Sequence, residues 1–145
     1  MSTISDGIYT YKFSGFAQDT ATLGNFLVGL GWLEVTKGKV SGQHHSTHVR
    51  ISGGAEPPVH WQFAVTGHFR LDPTSHIGSA SLEFVQQDAT ANEAQTLTGD
   101  FSFVRAAAQD RYWVISKAGT QVRTGRLPTT QIAMEVVEGE LVRIS

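Results

Sequence analysis

Apolar and polar residues alternate with a period of two along most of the chain. The clearest stretch runs from Val59 to Leu71, where the odd positions are Val, Trp, Phe, Val, Gly, Phe and Leu and the even positions are His, Gln, Ala, Thr, His and Arg. Because successive side chains of a β-strand point to opposite faces, this alternation predicts a strand with one apolar and one polar face. The same pattern predicts further strands over Gly7–Phe16, Phe26–Lys37, Lys39–Ile51, His76–Gln87, Gln95–Arg105 and Arg111–Lys117.

The segment from Thr130 to Ile144 is compatible with three structures: one closing strand, a hairpin that turns at Gly139, or a helix. We expect a strand, because Ile132, Met134 and Val136 occupy alternate positions. A glycine in a helix interior also costs about 1 kcal/mol relative to alanine, which disfavours the helix.

The apolar faces of these strands need a cover, and the sequence offers no helix to provide one. Short connections such as Lys37-Gly38 favour antiparallel neighbours. Such a sheet either packs against a second sheet or closes on itself. Gly29 and Gly31 alternate with bulky residues, which suits a small barrel in which large side chains need small ones opposite. We therefore expect one all-β domain over residues 1–145, a single antiparallel meander of about eight strands that closes into a small barrel.

Two hairpins can be paired so that their apolar faces match. Placing Val65 opposite Leu82 and Phe63 opposite Phe84 aligns the apolar residues of the fourth and fifth strands. Placing Phe84 opposite Leu97 does the same for the fifth and sixth strands. One face of Phe26–Val35 also contributes to the predicted interior. The other predicted interior residues are Val59, Trp61, Phe63, Phe69, Leu82, Phe84, Leu97, Phe101 and Phe103. The polar side of the hairpins collects Ser81, Glu83, Thr98 and Asp100.

Composition and charge narrow the possible partners. The 145 residues include 11 Lys and Arg against 13 Asp and Glu, a net charge of -2, and no basic block that could neutralise a run of phosphates. We expect no nucleic-acid partner. No apolar run approaches the ~20 residues that cross a bilayer, and Met1–Asp6 lacks the features of a signal peptide, so we expect no membrane partner. The chain has no cysteine, which excludes disulfides and cysteine-ligated zinc and favours a cytoplasmic location.

The histidines form the most suggestive polar group. His44 and His48 lie on the third predicted strand, and His60 and His68 lie on the fourth. If the connecting loop places even-numbered positions on one face, these four side chains share a polar surface, with His45 on the other side. Since the odd-numbered face carries Trp and Phe, we expect this surface to face solvent on the barrel exterior. If it lined the interior instead, its histidines would be able to bind an anionic group or to act as acid and base.

No constellation in the sequence predicts a metal, a cofactor or a catalytic residue. The two histidine-bearing strands carry no Asp or Glu to complete a typical metal site. Glu138 and Glu140 are two residues apart and would share an exposed strand face, unlike the differently surrounded carboxylates of an acid–base pair. The Gly-Leu-Gly segment at 29–31 has Glu34 where a dinucleotide-binding loop needs glycine. We therefore predict no cofactor and no metal, and we leave catalytic residues and enzymatic activity unassigned.

Several short motifs resemble those of one protein family. The chain has Gly-x-Gly-x-Leu-x-Val at Gly29–Val35, Thr-Gly-x-Phe at Thr66–Phe69 and Thr98–Phe101, and Glu-Gly-Glu-Leu-Val-Arg-Ile at Glu138–Ile144. In this order, on short strands, they resemble small uncharacterised bacterial proteins with a calycin-like barrel, of which allene oxide cyclase is the best-known relative in shape. The resemblance implies a barrel fold, and proteins with calycin-like barrels include ligand carriers and cyclases. No catalytic residue of allene oxide cyclase matches a position of this chain, so no activity is carried over.

The aromatic residues are the remaining candidates for function. A barrel of about eight strands either fills with side chains or holds one small ligand. Glycine and alanine on the strands leave room for a cavity on the order of a few hundred Å³. We predict that the interior binds a small apolar or aromatic molecule through Tyr11, Trp32, Trp61, Phe63, Phe84 and Phe101.

Two other functions are compatible with the same barrel. One is a cyclase or isomerase of allene oxide cyclase-like type, in which the barrel folds a flexible substrate and one or two polar groups complete the chemistry. The other is a structural subunit with a solid barrel that forms a homo-oligomer. Apolar residues on exposed strand faces, such as Ile77 and Val114, favour a homo-oligomer.

Overall fold

A computed structural model describes residues 4–18, 25–50, 58–72, 74–90, 94–106, 110–116, 120–124 and 130–145. In this part of the chain there are nine β-strands and no helix. The strands are β1 (Gly7–Gln18), β2 (Asn25–Thr36), β3 (Lys39–Arg50), β4 (Val59–Leu71), β5 (Ile77–Gln86), β6 (Gln95–Arg105), β7 (Arg111–Ser116), β8 (Thr120–Thr124) and β9 (Thr130–Arg143). The described residues accordingly contain no helix with the length and apolar character that a membrane span requires.

The strands form one closed antiparallel sheet. Each strand from β1 to β7 pairs with its neighbour in this order, and β9 pairs with β1, which closes the sheet into a barrel. β7 and β8 share one position in the wall, because β6 pairs with β7 through residues 101–105 and with β8 through residues 95–98. β9 pairs with the same two strands from its own side. The predicted all-β meander that closes into a small barrel is confirmed.

The predicted strand bounds agree with the observed ones to within two residues. The segment after residue 129 is one strand, β9, as expected, and it supplies the pairing that closes the barrel. The short strand β8 is absent from the sequence prediction. Its five residues, Thr-Gln-Val-Arg-Thr, include a single apolar side chain, which is too little for an alternation to be visible. Only its neighbours β6 and β9 define it as part of the wall.

Two hairpin registers test the predicted interior. The pairing of β5 with β6 is confirmed, with Phe84 opposite Leu97. The predicted pairing of β4 with β5 is wrong by two residues, since Val65 lies opposite Phe84. The turn before β5 contains Asp72, whose carboxylate accepts a hydrogen bond from the Ser75 hydroxyl at 2.9 Å. A shift of two residues keeps every side chain on its own face, so the apolar faces still meet inside the barrel.

The pairing of β3 with β4 reverses the predicted placement of two histidines. His44 lies opposite Phe63, so even-numbered positions of β3 share a face with odd-numbered positions of β4. The predicted polar surface of four histidines is therefore wrong: His44 and His48 point into the barrel, while His60 and His68 are exposed outside it. The alternation within each strand was read correctly, but a one-residue difference in register between strands exchanges the faces.

The interior is packed most completely at the end of the barrel where β1 begins. The residues there with at most 2% of their surface exposed include Ile4, Tyr9, Val35, Phe103 and Tyr112. The ring of Tyr112 contacts those of Tyr9 and Phe103, with centroids 6.3 and 5.6 Å away. We call this the Tyr9 end, and we call the opposite end, where β3 finishes and β4 begins, the His48 end. Large side chains are therefore closely packed at the Tyr9 end.

Most of the predicted interior residues lie inside. The buried ones are Phe63, Phe69, Phe84, Phe101 and Phe103, and the partly buried ones that pack against them are Trp61, Leu82 and Leu97. Val59, at the first position of β4, is exposed. β2 contributes its odd-numbered positions, Leu27, Gly29, Gly31, Leu33 and Val35. The bulky even-numbered side chains of β2 therefore point outward.

Candidate functional site

A tyrosine and a histidine form a hydrogen-bonded pair inside the barrel. Tyr11 comes from β1 and His44 from β3, the two strands that flank β2. The phenol oxygen of Tyr11 lies 2.7 Å from Nδ1 of His44. With the imidazole proton on Nε2, the Tyr11 hydroxyl donates and Nδ1 accepts. Because His44 is buried among apolar side chains, this pair is a polar contact in apolar surroundings.

The pair forms because β2 has glycine where the two side chains meet. Gly31 lies opposite Tyr11 on one side and opposite His44 on the other. A Cβ atom at Gly31 would lie 2.5 Å from the Tyr11 phenol oxygen, and one at Gly29 would lie 2.6 Å from both His44 Cε1 and Phe13 Cε2. These distances are far shorter than the separation of about 3.5–4.0 Å at which carbon atoms attract each other. The expectation that bulky side chains face small ones is confirmed at these two glycines.

Aromatic rings enclose the histidine on several sides. We call Tyr11, Phe13, His44, Phe63 and Phe84 the aromatic cluster. The rings of Tyr11 and Phe13 stack on the imidazole at centroid distances of 5.7 and 5.2 Å, with interplanar angles of 9° and 17°. Phe63 and Phe84 approach it at other angles, with centroids 5.7 and 5.1 Å away. Ring packing therefore fixes the orientation of the imidazole together with the hydrogen bond to Tyr11.

Burial keeps both members of the pair neutral. Desolvation, with smaller contributions from His45 and His48, lowers the pKa of His44 to about 3. Desolvation also raises the pKa of the Tyr11 phenol. A general acid or base works best when its pKa lies near the working pH. At neutral pH this pair therefore offers hydrogen bonds rather than proton transfer.

Several inward-facing residues at the His48 end are half-buried. His48 and Trp61 pack there with ring centroids 4.5 Å apart, and desolvation lowers the pKa of His48 to about 4. Four inward-facing residues at this end are half-buried, namely Gly15, His48, Trp61 and Leu97, whereas the neighbouring Leu27, Ser46 and Gln86 are buried. Phe13 of the aromatic cluster is half-buried as well.

Around the aromatic cluster and at the His48 end, every described side chain that points inward is either uncharged or a histidine. Their polar members include Tyr11, His44, Ser46, His48 and Gln86. The amide of Gln86 is already engaged, because its nitrogen donates to Asp88 and its oxygen accepts from the backbone of Gln95. Within the described residues, no group of three or more His, Asp or Glu side chains is placed to hold a metal ion.

Between the aromatic cluster and the Tyr9 end the barrel is almost filled. A cavity of about 30 Å³ lies there, with walls that include Leu33, Phe69, Phe101 and Leu141. Such a space holds roughly one water molecule, whereas sites for drug-sized ligands measure about 300–1,000 Å³. The larger cavity that the sequence led us to expect is not present in this part of the barrel.

The structure places the predicted binding residues in four locations. Three of them belong to the aromatic cluster: Tyr11, Phe63 and Phe84. Phe101 lies next to that cluster, with its ring centroid 6.4 Å from that of Phe84, and Trp61 lies at the His48 end. Trp32 lies on the outer face of β2 with 44% of its surface exposed, so a ligand in the interior does not reach it.

His44 and Phe13 are members of the aromatic cluster that the sequence prediction missed. The turn at Lys37-Gly38 carried a usable signal, because both residues have positive φ, 51° and 82°, as in the two-residue turns that join β-hairpins. Such a turn defines the register of β2 against β3, and that register places Gly31 opposite His44. Once the glycine face of β2 is placed inside, His44 has to be inside as well.

Comparisons of the chain with protein-family models, with curated proteins and with solved structures each found no match. The closed antiparallel barrel agrees with a calycin-like shape. The relationship to allene oxide cyclase and the bacterial source stay predictions that rest on the sequence motifs.

Proposed function

We propose that the protein binds a small, uncharged and mostly aromatic or apolar molecule in the barrel interior. The molecule enters at the His48 end and rests on the aromatic cluster. The observation that carries this proposal is the neutral Tyr11–His44 pair, which lies between aromatic rings. The pair is placed between the half-buried residues of the His48 end and the closely packed interior of the Tyr9 end.

The walls of the site define the class of ligand. Phe13, Phe63 and Phe84 offer apolar ring surface, and each aromatic pair contributes about 0.5–1.5 kcal/mol beyond the burial of area. Burying a charged ligand group among these rings would cost on the order of several kcal/mol of binding free energy, because the described walls hold no charge of opposite sign. One hydroxyl or carbonyl group on the ligand is compatible with the site, since the imidazoles of His44 and His48 offer hydrogen bonds.

The pKa of His44 favours binding over acid–base catalysis. At a pKa of about 3 the imidazole is unprotonated at neutral pH and is a weak base. Burial also raises the pKa of Tyr11, so its phenol is a weak acid. The alternative of a cyclase or isomerase of allene oxide cyclase-like type therefore rests on the resemblance and on the shape of the barrel.

An inner and an outer tryptophan provide a matched test of the binding site. Trp61→Ala removes a ring at the His48 end, and Trp32→Ala removes the same side chain from the outer face of β2. We expect the neutral fluorescent probe N-phenyl-1-naphthylamine to bind Trp61→Ala at least about tenfold more weakly than the unmodified protein. We expect Trp32→Ala to bind it unchanged. Equal weakening in both variants, or no binding to the unmodified protein, would contradict the proposal.

Native mass spectrometry of gently purified protein tests for a resident ligand. We expect a small-molecule adduct that is lost on denaturation and is reduced in Trp61→Ala but not in Trp32→Ala. The adduct's mass then identifies the ligand. An adduct that persists equally in both variants would place the ligand outside the proposed site.

A second candidate function, a homo-oligomeric structural subunit, has support on the outer face of β2. This face presents a row of apolar side chains, the β2 row, made of Phe26, Val28, Leu30 and Trp32, each at least 38% exposed. Of the two residues named for this role from the sequence, Ile77 is exposed, whereas Val114 packs against the core. Contiguous apolar surface is typical of protein interfaces.

The cytoplasmic location and the lack of nucleic-acid and membrane partners stay predictions from composition.

A further inference from the structure

A polar groove on the outside of the barrel is separate from the interior site. It crosses β3, β4, β5 and β6 and has a volume of about 700 Å³. Its floor is the backbone around Gly67, Leu82 and Gly99, which lie side by side in register. The outward-facing side chains that line it are polar, in contrast to the β2 row. A concave surface of this volume is within the range of about 300–1,000 Å³ that ligand sites occupy.

Groups of opposite charge stand on the two sides of the groove. Lys39, His68, Ser81 and Asp100 lie opposite one another in a row from β3 to β6, and Glu83 lies beside this row on β5. Asp100 accepts a hydrogen bond from the Ser81 hydroxyl at 2.8 Å. Neither Lys39 nor the two carboxylates form an ion pair with another described residue. The groove therefore presents one basic and one acidic side to solvent.

The row contains serine, histidine and aspartate, but their order does not suit nucleophilic catalysis. An activated serine needs a base that takes its proton and a third group that orients the base. Here the Ser81 hydroxyl lies between the other two residues and donates to Asp100, not to His68. The groove is thus arranged for binding rather than for bond cleavage.

We propose that this groove binds a short zwitterionic peptide, with its ammonium group at Glu83 and Asp100 and its carboxylate at Lys39. The backbones of β3 and β6 are three strand spacings apart, about 14 Å. Three extended residues span about 10 Å, and the flexible stem of Lys39 covers the remaining distance. The hydroxyls of Thr66 and Ser81 lie between the charged groups and offer hydrogen bonds to the peptide amides.

Backbone amide signals in NMR spectra test this proposal with defined probes. On titration with unmodified Ala-Ala-Ala, we expect the signals of Gly67 and Gly99 to shift. The same peptide with an acetylated N-terminus and an amidated C-terminus lacks both charges, and we expect it to bind at least about tenfold more weakly. No shift with the unmodified peptide, or equal binding of the blocked peptide, would overturn the proposal.

Two matched glutamates locate the acidic side of the site. Glu83→Gln removes one charge from the groove and keeps its shape, while Glu138→Gln removes the same charge from the exposed outer face of β9. We expect the first substitution to weaken binding of Ala-Ala-Ala at least about fivefold and the second to leave it unchanged. An equal loss in both variants would indicate a general effect of net charge and would overturn the assignment. Because the probes and variants lie outside the barrel, this result is independent of the interior ligand.

Discussion

Tyr11 and His44 meet across Gly31, and a hydrogen bond of 2.7 Å joins their side chains inside the barrel. The two residues are 33 positions apart in the sequence and lie on strands that do not pair with each other, because β2 runs between them. Their contact depends on the missing side chain of the residue in between. The glycines of β2 therefore determine which polar groups meet in the interior.

The first prediction concerns the space above Gly29. Gly29→Ala should destabilise the protein by about 1–3 kcal/mol, because the new methyl group collides with the rings of His44 and Phe13. His44→Ala removes one of these rings, so the double variant should lose less stability than the sum of the single variants, by at least about 1 kcal/mol. Urea unfolding of all four proteins measures this coupling. Additive losses would contradict the proposed collision.

The second prediction is a loss of stability in acid. Burial lowers the pKa of His44 to about 3 and that of His48 to about 4, whereas an unfolded chain has a histidine pKa of about 6.5. Below pH 6.5, roughly, the unfolded chain binds protons that the folded protein does not, so the free energy of unfolding falls as the pH falls. The full contribution is present above that pH, and each histidine adds a slope of up to about 1.4 kcal/mol per pH unit.

Denaturant unfolding at several pH values between neutral and mildly acidic measures this slope. His44→Gln should reduce it, and His60→Gln, which changes an exposed histidine on the outer face of β4, should leave it unchanged. The slope is the readout because the His44 substitution also lowers stability at every pH. If both variants keep the slope of the unmodified protein, the proposed burial of a neutral His44 is wrong.

The third prediction concerns the tyrosines, because all three are inside the barrel. Desolvation is the largest cause that raises the pKa of Tyr9, Tyr11 and Tyr112. A phenol whose pKa is raised on folding contributes stability below the unfolded value of about 10 and loses that contribution as the pH rises above it. Phenolate absorbance should therefore appear only together with the loss of the circular dichroism of the fold. Ionisation of a tyrosine in the folded protein near pH 10, roughly the ordinary phenol pKa, would contradict this prediction.

The fourth prediction tests association through the β2 row. Leu30→Lys places a charge in the middle of the apolar surface and should shift the protein toward the monomer, because burying an unpaired ammonium group is costly. Thr66→Lys adds the same charge on the polar outer face of β4 and serves as the control. Sedimentation velocity over a range of concentrations reports the change. A monomeric unmodified protein, or the same shift in both variants, would remove the support for a homo-oligomeric subunit.

The sequence was sufficient to predict every described strand except β8 and the closure of the sheet into a barrel. Both follow from a local property, the alternation of apolar and polar side chains, together with the need to bury the apolar faces without helices. The register of β5 with β6 was also accessible, because matching Phe84 with Leu97 aligns every apolar pair along that hairpin. The glycines of β2 indicated in addition that large rings lie opposite them.

The inward faces of β2 and β3 became known only from the pairing of the strands in three dimensions. Alternation defines two faces, but the choice between them depends on register with the neighbouring strand, and a difference of one residue exchanges them. For this reason His44 lies in the candidate site although the sequence placed it outside, and Trp32 lies outside although it was predicted to bind the ligand. The small cavity was equally inaccessible from the sequence, because its volume depends on how rings from several strands pack against one another.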